Sequence, residues 1–129
     1  MDADVIIIGT GAGGGTLARA LAPSGLKLLL IERGDFLPRE KDNWRAVAVF
    51  GQHRYHNAEP WIDREGTPFR PVTGYHVGGN TKLYGAAVLR RRTSDFGVVR
   101  HAAGHTIAWP IDYADLAPFY DTAEAWYFA

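Results

Sequence analysis

The first 34 residues alternate between short apolar runs and a segment with helical periodicity. Val5–Ile8 is a continuous run of β-branched residues, which predicts a strand buried on both faces. Thr16–Ala22 carries helix-forming residues with its apolar members on one face, and Pro23 and Gly25 predict the end of that helix. Leu26–Ile31 predicts a second buried strand. Two parallel strands joined by a helix make a βαβ unit, so the predicted fold class is α/β.

The pattern is much less regular beyond residue 34. Residues 35–73 are interrupted repeatedly by Gly, Pro and Asn, yet they carry many aromatic side chains, which indicates an ordered, extended loop region. Residues 74–129 hold a second glycine cluster and, from about Ala114, a helical pattern in which Pro118 is expected near the helix start. We therefore predict one incomplete domain, made of a βαβ start (1–34), a long irregular segment (35–73), and a glycine loop with a C-terminal helix (74–129).

Composition narrows the classes of function. The chain has 129 residues, and its 14 basic and 14 acidic side chains cancel, so we expect no nucleic-acid partner and no anionic membrane surface. The sequence contains no cysteine, which excludes disulfides, thiolate metal ligands and cysteine nucleophiles from it. No apolar run is long enough to span a membrane, and the first strand begins too early to leave room for a signal peptide. We therefore expect a cytoplasmic protein.

A glycine motif lies where the first predicted strand meets the helix. Its G-x-G-x-x-G spacing is typical of dinucleotide-binding loops. In such a loop Gly9 allows the tight turn, Gly11 lets a pyrophosphate approach the backbone, and Gly14 lets the helix pack on the strand. The first amides and the dipole of the helix favour the phosphate charge. The candidate cofactor-binding residues of this loop are Gly9, Gly11, Ala12, Gly13 and Gly14.

An acidic residue stands at the end of the second predicted strand. Glu32 occupies the position whose carboxylate binds a ribose diol in dinucleotide-binding folds, and its charge disfavours the 2′-phosphate of NADP. We include Glu32 and the adjacent Arg33 among the candidate cofactor-binding residues. The alternative is a glycine-rich turn without a ligand, but the complete context of strand, glycine loop, helix, strand and acid favours binding. These features do not separate FAD from NAD.

Three longer stretches carry more specific information. They are DVIIIGTGAGGGTLARALAPSGLKLLLIERG, VGGNTKLYGAAVLRRRTSDF and WPIDYADLAPFYDTAEAWY. Together they resemble the glucose–methanol–choline (GMC) family of FAD-dependent oxidoreductases. The first stretch is shared with many flavoproteins, the second is similar to the Gly-Gly signature of the family, and the third looks like a segment of many bacterial members. The resemblance covers essentially the whole chain and implies the N-terminal portion of such an enzyme, with a Rossmann-like FAD-binding fold.

The resemblance also implies a second cofactor loop around the Gly-Gly pair. Its candidate residues, by match to the family, are Gly78, Gly79, Asn80, Thr81, Tyr84 and Gly85. Consecutive glycines and small polar residues let backbone amides face an anion such as a pyrophosphate. Tyr84 stands where many members have Asn, and Leu83 stands where members with covalent flavin can carry the linking His. The implied FAD is therefore bound non-covalently.

Histidines and arginines outside these loops have more ordinary interpretations. His76, just before the Gly-Gly pair, could approach a flavin, but we interpret it as a structural histidine. His101 and His105 stand at helical i, i+4 spacing, yet a metal site needs further ligands, so we assign no metal ligand. Arg90 matches an arginine of the family, and the two arginines after it are expected to be solvated.

The activity implied by the resemblance is oxidation of CH–OH groups in alcohols or sugars by hydride transfer to flavin. The base of such enzymes is typically a histidine near the C-terminus of a chain several times longer, so we assign no catalytic residue. A stand-alone Rossmann-like module that binds a dinucleotide without chemistry of its own is the alternative. We expect residues 1–129 by themselves to be inactive.

Overall fold

A computed structural model of the protein describes residues 2–83 and 88–128. The chain divides into two compact units, Met1–Gly85 and Ala86–Ala129. The described residues form one parallel and two antiparallel sheets, each of two strands. Within the same ranges, no helix combines the length and the apolar character needed to cross a membrane.

The first unit opens with a strand, a helix and a strand, as predicted. β1 (Val5–Ile8) and β2 (Leu28–Ile31) pair in parallel, and α1 (Ala12–Leu21) connects them. The helix begins earlier than the predicted Thr16, because the glycines before that residue form its first turn. Its end is close to the predicted one, where a short 3-10 turn is followed by Gly25 in the left-handed conformation (φ +76°).

The parallel sheet is covered on one face, at Ile7. Ile7 is 5% exposed, whereas Ile6 and Ile8 are 58% and 84% exposed. Successive side chains of a strand point to opposite faces, so Ile7 points to the covered face and its two neighbours to the open one. The prediction that this strand is buried on both faces is therefore wrong for the described chain. The reason is that one helix, α1, can cover only one face of a two-stranded sheet.

Residues 35–73 contain little regular structure. Lys41–Trp44 forms a short 3-10 turn, and Val47–Gly51 forms one wide helical turn. A hairpin follows, made of β3 (Trp61–Ile62) and β4 (Pro68–Phe69). The buried side chains of this region are those of Ala48, Val49 and Tyr55.

The second unit consists of a short hairpin and the C-terminal helix. The hairpin pairs β5 (Arg100–His101) with β6 (Gly104–His105), and the helix is α2 (Tyr113–Tyr127). Asp112 caps α2, because its Oδ1 accepts from the Asp115 amide at 3.1 Å while its own amide donates to Asp115 Oδ2 at 2.9 Å. The predicted C-terminal helix is confirmed, with its start one residue before Ala114.

One expectation for the second unit, the position of Pro118, is wrong. Pro118 lies inside α2 rather than near its start, because the cap at Asp112 sets the first helical residue at Tyr113. His101 and His105 lie on opposite strands of the hairpin rather than on one helix, since Gly104 (φ +138°) allows the chain to reverse between them. No cluster of three or more His, Cys, Asp or Glu side chains that could hold a metal occurs in the part of the chain that the structure describes.

Arg90 joins the start of the second unit to α2. Its guanidinium donates to Glu124 Oε1 at 2.6 Å and to Asp121 Oδ1 at 2.7 Å, and it lies 5.6 Å from the centre of the Tyr120 ring. The hydrogen bonds to Glu124 raise the pKa of Arg90 and lower that of Glu124. These contacts give Arg90 a structural role within this unit.

Candidate dinucleotide site

The first glycine loop brings the start of α1 against the end of β1. Gly9 adopts φ +91°, a conformation that favours glycine. A Cβ atom on Gly14 would lie 2.0 Å from the Gly9 carbonyl oxygen and 3.2 Å from Cγ2 of Ile7. Only glycine therefore fits at this point of the helix. A Cβ on Gly11 would meet no atom within 4 Å, so this glycine is not required by packing inside the chain.

The N-terminus of α1 presents backbone amides without a side-chain cap. Gly11 is the N-cap residue, no side chain of the described residues caps the first amides, and the first turn carries no acidic residue. Unpaired amides and the positive end of the helix dipole attract an anion. The site is thus suited to a phosphate group, and the open space beside Gly11 leaves the backbone accessible to it.

Glu32, just beyond β2, is held by four hydrogen bonds. Its Oε2 accepts from the amide of Thr10 at 2.9 Å and from the Thr10 hydroxyl at 2.5 Å, and its Oε1 accepts from the amides of Arg33 at 2.7 Å and Gly34 at 3.2 Å. The Thr10 hydroxyl bond contributes most to lowering the pKa of Glu32, which falls to about 2. The carboxylate is therefore charged at every physiological pH, and it faces the first glycine loop.

The Gly-Gly loop meets the first loop at Thr10 and Gly11. Gly78 and Gly79 both have positive φ, at +97° and +61°. The Gly78 amide donates to the Thr10 hydroxyl at 2.9 Å. A Cβ on Gly79 would lie 3.1 Å from Cα of Gly11, so the two backbones approach closely. The structure thus brings the two predicted glycine loops together, although 68 residues separate Thr10 from Gly78.

The segment after Glu32 guides the Gly-Gly loop to this position. Asp35 and His76 form a parallel bridge, and the Val77 amide donates to the Asp35 carbonyl at 3.1 Å. A Cβ on Gly34 would lie 1.9 Å from the carbonyl oxygen of Tyr75, so glycine is required there. His76 donates through Nε2 to the Tyr55 carbonyl at 3.0 Å, which supports the interpretation of His76 as a structural residue.

The side chains of several predicted site residues bind neighbouring groups of the protein itself. Asn80 Oδ1 accepts from the Gly74 amide at 2.9 Å, and the Thr81 hydroxyl donates to the Gly78 carbonyl. The Arg33 guanidinium pairs with Glu59 and lies 4.1 Å from the centre of the Tyr75 ring. Their contribution to a bound ligand would therefore come mainly from the backbone. Tyr84 and Gly85 lie outside the described residues.

An open groove begins where the Gly-Gly loop ends. Its volume is about 920 Å³, and Val77, Lys82 and Leu83 line one side of it. The other side is formed by residues 36–41, 43 and 44. Asn43 Nδ2 is buried and has no hydrogen-bond partner among the described residues. The groove offers open space beside the second glycine loop.

Two residues of this site were not identified from the sequence. Thr10 connects Glu32 to the Gly-Gly loop, and Gly34 allows the backbones of the two segments to come together. The polar second residue of the motif, in Gly9-Thr10-Gly11, and the glycine after Glu32-Arg33 are both visible in the sequence. Their partners, at Gly78 and Tyr75, are distant in the chain and could not be identified from local pattern.

Comparison with known proteins finds relatives over most of the chain, although no protein-family model matches it. A 6′′′-hydroxyparomomycin C oxidase of Streptomyces lividus is 36% identical over 124 residues, covering 94% of this chain and 22% of the relative. A paromamine 6′-oxidase of Streptomyces fradiae is 38% identical over 130 residues, with the same two coverages. A 2-methyl-1,2-propanediol dehydrogenase of Mycolicibacterium austroafricanum is 33% identical, covering 96% of this chain and 24% of the relative.

The relatives are oxidases and dehydrogenases, which are oxidoreductases. The chain belongs to the GMC family of oxidoreductases, and a related protein of Sinorhizobium fredii is named as a GMC-type oxidoreductase. The chain spans about a fifth of the length of the first two relatives. The family resemblance of the sequence is therefore confirmed.

Proposed function

We propose that the chain is the N-terminal, FAD-binding part of an enzyme that oxidises alcohol or sugar CH–OH groups. The observation that carries the proposal is the meeting of Glu32, the first glycine loop and the Gly-Gly loop through Thr10. Two glycine loops with accessible backbone, next to one ionised carboxylate, fit the pyrophosphate and ribose of a dinucleotide. We take the parallel pair with α1 to be the start of a Rossmann-like fold.

Each part of the site has a proposed task in binding FAD. Backbone amides at the N-terminus of α1 and along residues 78–81 would hold the pyrophosphate and the chain that leads to the flavin. The Glu32 carboxylate would accept a hydrogen bond from an adenosine ribose hydroxyl. That hydroxyl would bind Oε1 or Oε2 beside the donors from Thr10, Arg33 and Gly34. Its charge would repel a 2′-phosphate. The groove lined by Val77, Lys82 and Leu83 is the proposed space for the flavin ring.

The relatives and this site together support the proposed reaction class. Three of the relatives are named as an oxidase of paromamine, an oxidase of 6′′′-hydroxyparomomycin C and a dehydrogenase of a diol. When bound, FAD would accept a hydride from the substrate carbon. We assign no general base to the described residues. The task of this chain is to bind the cofactor, orient it and keep the anionic groups paired with backbone donors.

Purification of the intact protein tests the cofactor. We expect a yellow protein with a flavin absorbance spectrum, and we expect acid precipitation to release free FAD, since Leu83 offers no atom for a covalent bond.

Glu32→Ala should weaken FAD binding by about 1–3 kcal/mol, because a charged acceptor is lost and its donors are left unpaired. A colourless protein that binds NAD and ignores FAD would refute the proposal. Flavin that stays with the precipitate would refute only non-covalent attachment.

A further inference from the structure

Among the described residues, the Thr10 hydroxyl is the group that hydrogen-bonds both to Glu32 and to the Gly-Gly loop. It donates to Glu32 Oε2 at 2.5 Å and accepts from the Gly78 amide at 2.9 Å. A hydroxyl has one donor hydrogen and two acceptor lone pairs, so it can make both bonds at once. No apolar side chain of the same shape could replace either of them.

Each partner depends on Thr10 for a different reason. Gly78 has positive φ, and its amide is directed at the first loop, where the Thr10 hydroxyl is its acceptor. Glu32 lies 22 residues from Thr10 in sequence, and the two bonds from Thr10 fix the Oε2 end of its carboxylate. The other end is fixed by the amides of Arg33 and Gly34, which belong to its own loop. Thr10 therefore supplies the contact that orients the carboxylate relative to α1.

We propose that Thr10 is a positioning residue that joins the ribose-binding carboxylate and the Gly-Gly loop into one nucleotide site. This inference rests on the proposed FAD function. It assigns Thr10 no contact with the cofactor, and its effect passes through Glu32 and Gly78. Without the hydroxyl, Gly78 would lose its acceptor, and the Gly-Gly loop would be held only by contacts such as the Asp35–His76 bridge and the Val77–Asp35 hydrogen bond.

Thr10→Val and Thr10→Ser are the informative pair of variants. Valine keeps the shape of threonine and removes the hydroxyl, whereas serine keeps the hydroxyl. Thr122→Val is the matched control, because the Thr122 hydroxyl donates to the Pro118 carbonyl within α2 at 3.0 Å, outside the residues of the candidate site. The intact protein is used throughout, freed of bound flavin and then titrated with FAD in a calorimeter.

Hydrogen exchange at the Gly78 amide gives a readout that needs no cofactor. We expect Thr10→Val to speed exchange at Gly78 and to weaken FAD binding about tenfold or more, the scale of one hydrogen bond to a charged group. Thr10→Ser should restore both to within about threefold of the wild type, and Thr122→Val should change neither.

The outcomes separate this inference from the proposed function. If the wild-type protein does not bind FAD, the proposed function fails, whatever the exchange data show. If it binds FAD and Thr10→Val binds equally well or Gly78 exchange is unchanged, the role of Thr10 is refuted and the function stands. Tighter binding by Thr10→Val would also refute the role, since the hydroxyl would then be a competitor of the ribose for Glu32.

Discussion

Single residues decide how the candidate site is built, and the glycines of the first loop do so in two different ways. Gly14 is required by packing, because an added Cβ would lie 2.0 Å from the Gly9 carbonyl oxygen. Gly11 is free of such contacts, so its lack of a side chain serves an approaching ligand in the proposed function. The same motif thus contains one glycine that the fold needs and one that the proposed cofactor needs.

Gly11→Val is expected to abolish FAD loading while leaving the fold intact. The new side chain points into open space beside the unpaired amides of α1, where it would block the pyrophosphate. Flavin absorbance after gel filtration measures the loading, and circular dichroism measures the fold. Gly15→Ala is the control, because its Cβ would lie 3.8 Å from its nearest atom, the Thr10 carbonyl oxygen. Full FAD occupancy in Gly11→Val would contradict the proposed position of the pyrophosphate.

Glu32 is expected to make stability depend on pH in the acidic range. Hydrogen bonds from Thr10 lower its pKa in the folded protein from 4.5 to about 2. A carboxyl group whose pKa is lower in the folded than in the unfolded state stabilises the fold fully at pH values above the unfolded pKa. This stabilisation is lost as the pH falls from 4.5 towards 2. The wild-type protein should therefore exceed Glu32→Gln in free energy of unfolding at pH 7, and the difference should shrink near pH 3. A constant difference across denaturant titrations at both pH values would show that the charge of Glu32 is not responsible.

At the scale of elements, the two α-helices differ most clearly in how their N-termini are capped. α1 has no side-chain cap and no acid in its first turn, whereas α2 has a reciprocal cap made by Asp112 and Asp115. The two helix starts therefore differ in function. The amides of α1 remain available to an anion, and the amide of Asp115 is already used by the protein itself.

Asp112→Ala is expected to destabilise the second unit by about 1 kcal/mol, the usual effect of losing a capping side chain. Asp112→Asn keeps the side-chain acceptor and should cost much less. Thermal unfolding followed by circular dichroism compares the two variants with the wild type. Equal losses in both variants would show that the charge at the N-terminus of α2, rather than the capping bond, provides the stabilisation.

For the whole molecule, the open face of the parallel sheet is the dominant feature. Ile6 and Ile8 of β1 are exposed on this face, and so is Ile31 of β2, which is in register with Ile8. An apolar sheet face and unpaired strand edges favour association with other chains. The site built on this sheet has also only part of the enclosure that small-molecule binding needs.

Residues 1–129 expressed alone should therefore be poorly soluble or loosely folded, and should hold FAD far more weakly than the intact protein. Gel filtration in the presence of FAD measures both properties, and an alcohol-oxidation assay should detect no activity. Replacing Ile6 and Ile8 by Thr, which retains β propensity, should improve recovery by making the open face more polar. A monomeric product that unfolds cooperatively and retains one FAD would favour the stand-alone module instead.

The type and order of the elements with strong local signals were predicted correctly, although β2 begins at Leu28 rather than Leu26 and is not buried. The β-branched run at Val5–Ile8, the breakers after α1 and the apolar run before Glu32 are local, so the parallel pair and its helix followed from them. The hairpin at Arg100–His105 was missed, because its strands are two residues long and the i, i+4 spacing of its histidines imitates a helix. Pro118 was misplaced because the cap at Asp112, which sets the helix start, lies before the apolar pattern.

The sequence by itself identified the family, through three stretches that resemble its members. It also identified the two glycine loops and Glu32, because tight turns, an accessible backbone and a negative charge depend on residue type and spacing. Only the tertiary structure decided that Thr10 joins Glu32 to Gly78 and that Gly34 lets the 75–77 backbone run beside its own segment. Those contacts connect residues far apart in the chain. Their partners are set by how β1, β2 and the intervening loops pack, and no local pattern of hydrophobic and polar residues specifies that packing.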